Sequence, residues 1–259
     1  MKIDFDGEKY KRASAQQKFW GKGLICELEL AGHERILDLG CGDGALTAEL
    51  AELVPGGFVL GIDASESMIA TATKDHTGTN LRFERQDINT IDFEPEFDLV
   101  FSNATLHWVN DHRALLKNVY KCLKDQGTAH FQFAGDGNCS NLIRVVRDVM
   151  SESPYADAFR DFSWPWYMPT GREYQALLEE APFTGKKVWC TGADKIFESS
   201  EAMIRWIDQP SLVPFLGAIA ELDRRRFRDT VVERMIAETQ QDDGTYFETF
   251  RRINVWARK

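Results

Sequence analysis

Two acidic residues at the ends of apolar runs are where chemistry can first be read in this chain. Asp38 lies within Ile36-Leu-Asp-Leu-Gly-Cys-Gly-Asp-Gly44, and Asp63 closes the run Phe58 to Ile62. Gly40, Gly42 and Gly44 let the backbone turn tightly and approach a ligand where a Cβ would collide. With Ala45, the turn even satisfies the G-x-G-x-x-A form that holds a dinucleotide pyrophosphate. Asp38, two residues before the first glycine, opposes that reading, because a carboxylate there repels a pyrophosphate. It suits a ligand that carries a cationic amine and no phosphate. The nucleoside cofactor of that description is S-adenosylmethionine. An acid at the second strand end, Asp63, can accept both hydroxyls of its ribose.

The next candidates follow in chain order. Asp87 can accept from an adenine amino group while the N–H of Ile88 donates to a ring nitrogen. Ser102-Asn103-Ala104 ends a fourth apolar run, and Asn103 falls in the crevice where open α/β sheets bind ligands. His107 comes just after and is the candidate general base; the alternative is that it packs beside Trp108, itself a candidate wall of an acceptor pocket. Trp164, Trp166, Tyr167 and Arg172 would suit a small acid with an apolar or unsaturated body, or else form a hydrophobic core. Arg144 and Arg147, one helical turn apart, are further candidates. His33, His76, His112 and His130 read as surface or structural residues. No spacing suggests a metal site.

Asp38-Leu-Gly-Cys-Gly-Asp-Gly44, Gly61-Ile-Asp63, Gln86-Asp87 and Phe97-Asp-Leu-Val-Phe-Ser-Asn103 together resemble the ordered motifs of class I S-adenosylmethionine-dependent methyltransferases. Leu106-His-Trp108 and the tail of the chain are similar to the trans-aconitate and malonyl-carrier-protein methyltransferase group. The resemblance implies that Asp38, Gly40, Cys41, Gly42, Asp63, Ala64, Met68, Asp87, Ile88 and Asn103 surround the cofactor. Tyr10, Ser14, Gln17 and Trp20 match an N-terminal segment that covers the methionine end in relatives. This implies cofactor contacts from Gln17 and Trp20 and an acceptor contact from Tyr10.

The elements that must position these groups alternate. Strands are expected at 35–39, 58–62, 81–85, 97–102 and 128–133. Between them lie a helix from Ala45, one capped by Ser65 and one capped by Asp111. Beyond Phe133 the alternation stops. Helices are expected at 141–150, 174–180, 200–207 and 212–240, a sixth strand at 186–197 and a last strand at 245–257. The fold class is therefore α/β. The resemblance implies a Rossmann-like seven-stranded sheet of order 3-2-1-4-5-7-6 with the last strand antiparallel. On this reading residues 1–134, 186–198 and 244–259 form the cofactor-binding core. Residues 135–185 and 199–243 form an inserted helical cap for the substrate.

Composition narrows the function classes. The 259 residues carry a net charge of −10, which argues against nucleic acid as the main partner. Arg224-Arg225-Arg226 reads as a solvated helix face. Five widely spaced cysteines without C-x-x-C suit reduced thiols in a cytoplasm. The N-terminus lacks the apolar stretch of a signal peptide, and no apolar run approaches the roughly 20 residues that span a bilayer. The expectation is a cytoplasmic enzyme, monomer or homodimer, with a small-molecule acceptor and neither nucleic acid nor membrane as partner. O-methylation of a carboxylic acid leads. C-methylation of a quinone or lipid-like acceptor, and a non-catalytic sensor of the cofactor, are the alternatives.

Overall fold

The computed structural model describes residues 15–259. The first strand, β1 (Arg35–Leu39), is buried on both faces, as its unbroken apolar run requires of a central parallel strand. It pairs in parallel with β2 (Phe58–Asp63) and β4 (Phe97–Asn103). Outside these lie β3 (Leu81–Arg85) and β5 (Leu123–Ala134). The last strand, β9 (Arg251–Arg258), runs antiparallel to β5, and β6 (Gly185–Gly192) completes the order β3-β2-β1-β4-β5-β9-β6. This is the expected seven-stranded sheet with its last strand reversed.

Helices cover both faces. Against one face, Ile36, Leu99 and Phe101 pack with Leu24 and Ile25 of α1 (Ala15–Cys26) and Leu50 of α2 (Ala45–Leu53). The helix α3 (Glu66–Asp75) follows β2, with the Ser65 hydroxyl accepting from the Met68 N–H at 3.3 Å. Against the other face, Leu39, Phe131, Phe133 and Val255 meet Leu115 and Val119 of α4 (His112–Cys122). Asp111 caps α4 by accepting from the Ala114 N–H at 3.0 Å.

Two compact units divide the described chain, and their boundaries differ from those expected. Residues 15–136 join Trp166–Thr191 and Arg252–Lys259; Gly137–Pro165 joins Gly192–Arg251. The stretch 166–185, expected in the cap, belongs with the sheet because Tyr174 and Leu178 complete the second apolar cluster. These side chains project from α6 (Gly171–Glu180), which follows α5 (Ser140–Met150) of the smaller unit. A capping box closes the start of α6, with Thr170 and Glu173 bonding reciprocally.

The smaller unit holds a second sheet, in which β7 (Lys195–Phe197) pairs antiparallel with β8 (Tyr246–Glu248). The expected strands 186–197 and 245–257 are each therefore broken in two. The Asp194 carboxylate causes one break by accepting from the Phe250 N–H at 3.0 Å and pairing with Arg251. The long helix expected from 212 is also split. After α7 (Ser200–Trp206), α8 (Val213–Leu216) stops before α9 (Glu221–Thr239) begins. Arg144 pairs with Glu238, and the Arg224-Arg225-Arg226 triplet is exposed on α9. Among the described residues, no helix is long and apolar enough to cross a membrane.

Candidate active site

The glycine turn after β1 is laid against the end of β2. The N–H groups of Gly40 and Cys41 both donate to the Ile62 carbonyl, at 2.8 and 3.0 Å. Asp63 then fixes two segments at once. One carboxylate oxygen accepts from the Gly42 N–H at 3.0 Å and the other from the Ser65 N–H at 2.9 Å. An ionised carboxylate offers about four acceptor positions, more than these two bonds use. Two of the glycines differ in what demands them. A Cβ on Gly40 would lie 2.1 Å from the Thr105 side chain, so protein packing excludes one. Gly42, at φ +55°, has nothing of the described residues within 4 Å of where its Cβ would be.

Asp38 is buried and accepts from the Thr47 hydroxyl at 2.7 Å. Burial pushes its carboxyl up to about 7; the Thr47 hydroxyl opposes this, and the nearby Asp63 charge adds to it. A cationic ligand group in the crevice would draw it back toward the ionised form.

The carboxyl ends of β4 and β5 supply a second set of groups. Asn103 is in register with Gln132, and Gln132 with Asn254, so the three side chains leave one face of the sheet. Ala104 adopts φ +56° directly after Asn103 and donates its N–H to the Gln132 carbonyl at 2.7 Å. Asn103 donates through Nδ2 to the Gln17 carbonyl at 2.9 Å, which ties α1 to the same edge. Gln132 donates to Asn254 at 2.8 Å. Among the described residues, the buried atoms without a hydrogen-bond partner include Gln17 Oε1, Asn103 Oδ1, Gln132 Oε1 and His107 Nδ1. Each such atom costs about 1–3 kcal/mol when left unsatisfied, so a polar ligand reaching these atoms would recover that cost.

His107 and Trp108 lie on the short 3₁₀ turn Leu106–Trp108. His112 holds this turn from below. Its Nε2 is 3.0 Å from the Leu106 carbonyl, and its Nδ1 is 3.0 Å from the Tyr174 hydroxyl. A carbonyl only accepts, so Nε2 carries the proton and Tyr174 donates to Nδ1. The Tyr167 N–H donates to the His107 carbonyl at 2.8 Å. The Trp108 ring is 5.4 Å from His107 and meets Trp166 edge-on at 5.7 Å. Burial, then the Arg252 and His112 charges, lower the His107 pKa to about 3. The imidazole is neutral at physiological pH.

Of the residues singled out in the sequence, the structure brings together Asp38, Gly42 and Asp63 at one turn, Gln17 and Asn103 at one edge, and His107, Trp108 and Trp166 in one aromatic group. The remaining candidates have these surroundings. Asp87 is exposed, and its carboxylate accepts from Asn89 through backbone and side chain, at 2.9 and 2.7 Å. Ile88 and Met68 are buried, and Ile88 joins the apolar core, whereas Ala64 is exposed. Tyr167 packs on His112 at 4.7 Å, and Arg172 is exposed at the start of α6. Trp164 falls in the smaller unit, with the Arg147 guanidinium 4.6 Å from its ring. Tyr10 and Ser14 lie outside the described residues. Gln132, Asn254 and Arg252 were not singled out in the sequence. The signal available was alternation: Arg252, Asn254 and Trp256 interleave with Ile253, Val255 and Ala257.

A methyltransferase-domain family model matches residues 36–127. The trans-aconitate 2-methyltransferase of Mycolicibacterium gilvum is 32% identical over 238 residues, covering 91% of each chain. The chain belongs to the trans-aconitate methyltransferase group of class I S-adenosylmethionine-dependent methyltransferases. The Escherichia coli trans-aconitate 2-methyltransferase is 29% identical over 258 residues, covering 99% of this chain and 98% of that one. The fold is shared with Haemonchus contortus phosphoethanolamine N-methyltransferase 2, at 18% identity and a TM-score of 0.63, over 98% of this chain and 56% of that one. It is shared also with an S-adenosylmethionine-dependent methyltransferase of Mesorhizobium loti, at 20% identity and a TM-score of 0.53, over 95% and 100%.

The protein is thus an S-adenosylmethionine-dependent methyltransferase, and its turn fits that cofactor. The open side of Gly42 leaves room for a close approach, and two carboxylates flank the turn, as a cationic ligand without phosphate requires.

Proposed function

We propose that this methyltransferase acts on a carboxylate oxygen of a small acid. The supporting observation is the state of His107: neutral, buried and with a pKa of about 3, it is a poor proton acceptor. A phenol, amine or carbon acceptor calls for a base, whereas a carboxylate is already ionised. The C-methylation reading needs a working base at His107 and is disfavoured on the same ground. The names of the curated relatives point the same way.

When bound, the cofactor supplies a methyl group on a sulfonium; a carboxylate oxygen that takes it gives a methyl ester and S-adenosylhomocysteine, with the bonding pair left on sulfur. The chain's own groups would orient and desolvate. Asp63 accepts from the ribose hydroxyls, and Asp38 faces the cationic end. Met68 and Ala64 border the adenine, with Ile88 N–H and Asp87 at its edge; Asp87 would exchange its bonds to Asn89 for this. Gln17, Trp20 and Asn103 lie toward the methionine. Trp108 and Trp166 wall the acceptor, and His107 offers a hydrogen bond without taking a proton.

The test is methyl transfer from labelled S-adenosylmethionine to trans-aconitate, other small di- and tricarboxylates, carrier-protein thioesters, fatty acids and quinols. A base-labile ester from an acid is expected. Base-stable product from a quinol or lipid, with no ester from any acid, overturns the reading.

A further inference from the structure

The sheet carries a cation that the cofactor does not account for. Arg252 is 4% exposed, although arginine is seldom so deeply buried. It stands on β9 opposite Ala134 of β5. Ala134 shares a face with Gln132, so Arg252 projects from the face that bears Gln132, Asn103 and Asn254. Toward that face lie three buried acceptor oxygens with no partner among the described residues, Gln17 Oε1, Asn103 Oδ1 and Gln132 Oε1. The guanidinium carbon lies over the Trp20 ring, 4.6 Å from its centroid. The N–H donors of a guanidinium lie in its plane, in a fork that matches a carboxylate. His107 is near enough for the Arg252 charge to disfavour its protonation.

The position also sets which carboxylate would be held. β9 is separated from β4 by one strand, about 10 Å at the backbone by ordinary strand spacing. The cofactor turn follows β1, on the far side of β4. An arginine reaching inward from β9 therefore meets a part of the acceptor away from the reacting oxygen. Binding the reacting carboxylate would also draw charge from its nucleophilic oxygen. We propose that Arg252 binds a second, non-reacting carboxylate of the acceptor and so selects di- and tricarboxylates over monocarboxylates. This rests on the carboxylate O-methylation put forward above.

The experiment compares trans-aconitate with crotonate, an unsaturated acid with one carboxylate, in the wild type, Arg252→Gln and Arg252→Lys. Loss of a charge-assisted pair should raise KM for trans-aconitate about tenfold or more in Arg252→Gln. KM for crotonate, kcat, and S-adenosylmethionine affinity by calorimetry should stay within about twofold. Arg252→Lys keeps the charge without the fork and should fall between. A rise in both KM values together, or in neither, overturns the proposal. If Arg252→Gln does not fold, Arg252→Lys alone decides by the same split. Calorimetric binding of trans-aconitate with S-adenosylhomocysteine present separates the two readings. Arg252-dependent binding without ester formation would sink carboxyl methylation and leave the arginine's role standing. Binding indifferent to Arg252, with ester formed, would do the reverse.

Discussion

Asp38→Asn should stabilise the cofactor-free protein at pH 8 and weaken cofactor binding at the same pH. The Asp38 carboxyl titrates near 7 in the fold, against about 3.9 in an unfolded chain. Between roughly pH 4 and 7 the folded protein holds a proton that the unfolded chain has released. Stability favoured by this group is thus fully present below about pH 4 and is lost as pH rises through 7. Three units at about 1.4 kcal/mol each put the loss near 4 kcal/mol. Asparagine mimics the protonated acid and can still accept from Thr47, so the variant avoids that loss. At roughly 2 °C per kcal/mol for a chain of this size, Tm should rise by up to about 8 °C at pH 8. At pH 4 the two proteins should melt together. Calorimetry with S-adenosylmethionine should show the opposite sense, with affinity at pH 8 reduced about tenfold or more by loss of a charge-assisted contact. An equal Tm difference at pH 4 and pH 8 would refute the reasoning, because it would mean that Asp38 does not change charge in that range.

Three further outcomes are expected. Gly42→Val should abolish cofactor binding by calorimetry while the circular dichroism spectrum stays native, because its side chain would fill open space at φ +55°. His107→Gln should retain activity within about tenfold, the reach of a lost hydrogen bond rather than a lost base; the pH profile of kcat/KM should show no limb near 6.5 attributable to His107. Tyr174→Phe leaves His112 Nδ1 buried without its donor and should cost about 1–3 kcal/mol in a denaturant melt.

The turn proposed to hold the cofactor was legible in the sequence because its backbone depends on local rules. An apolar run, a glycine turn and an acid at the next strand end fix β1, the turn and Asp63, whatever the rest of the chain does. The groups proposed to meet the acceptor are placed by register and burial, which no local pattern carries. His107 looked like a base because it follows β4, but its protonation is set by burial and by Arg252, 145 positions away in the sequence. Arg172 and Trp164 were singled out because they sit near other aromatics; Arg172 is exposed, and Trp164 packs with Arg147 in the smaller unit, surroundings that no local pattern gives. Arg252 was hidden beside Arg251, and only strand alternation separates the outer arginine, paired with Asp194, from the buried one.

The register that places Asn103, Gln132 and Asn254 side by side has an evolutionary consequence. The turn that suits the cofactor hangs from β1 and β2, whereas Gln132 and Asn254 of the polar row stand on β5 and β9. Point changes in that row leave the backbone bonds of the turn untouched. Duplicated copies of such a gene could therefore drift toward new acids through β5 and β9 alone, while inheriting an intact methyl-donor site.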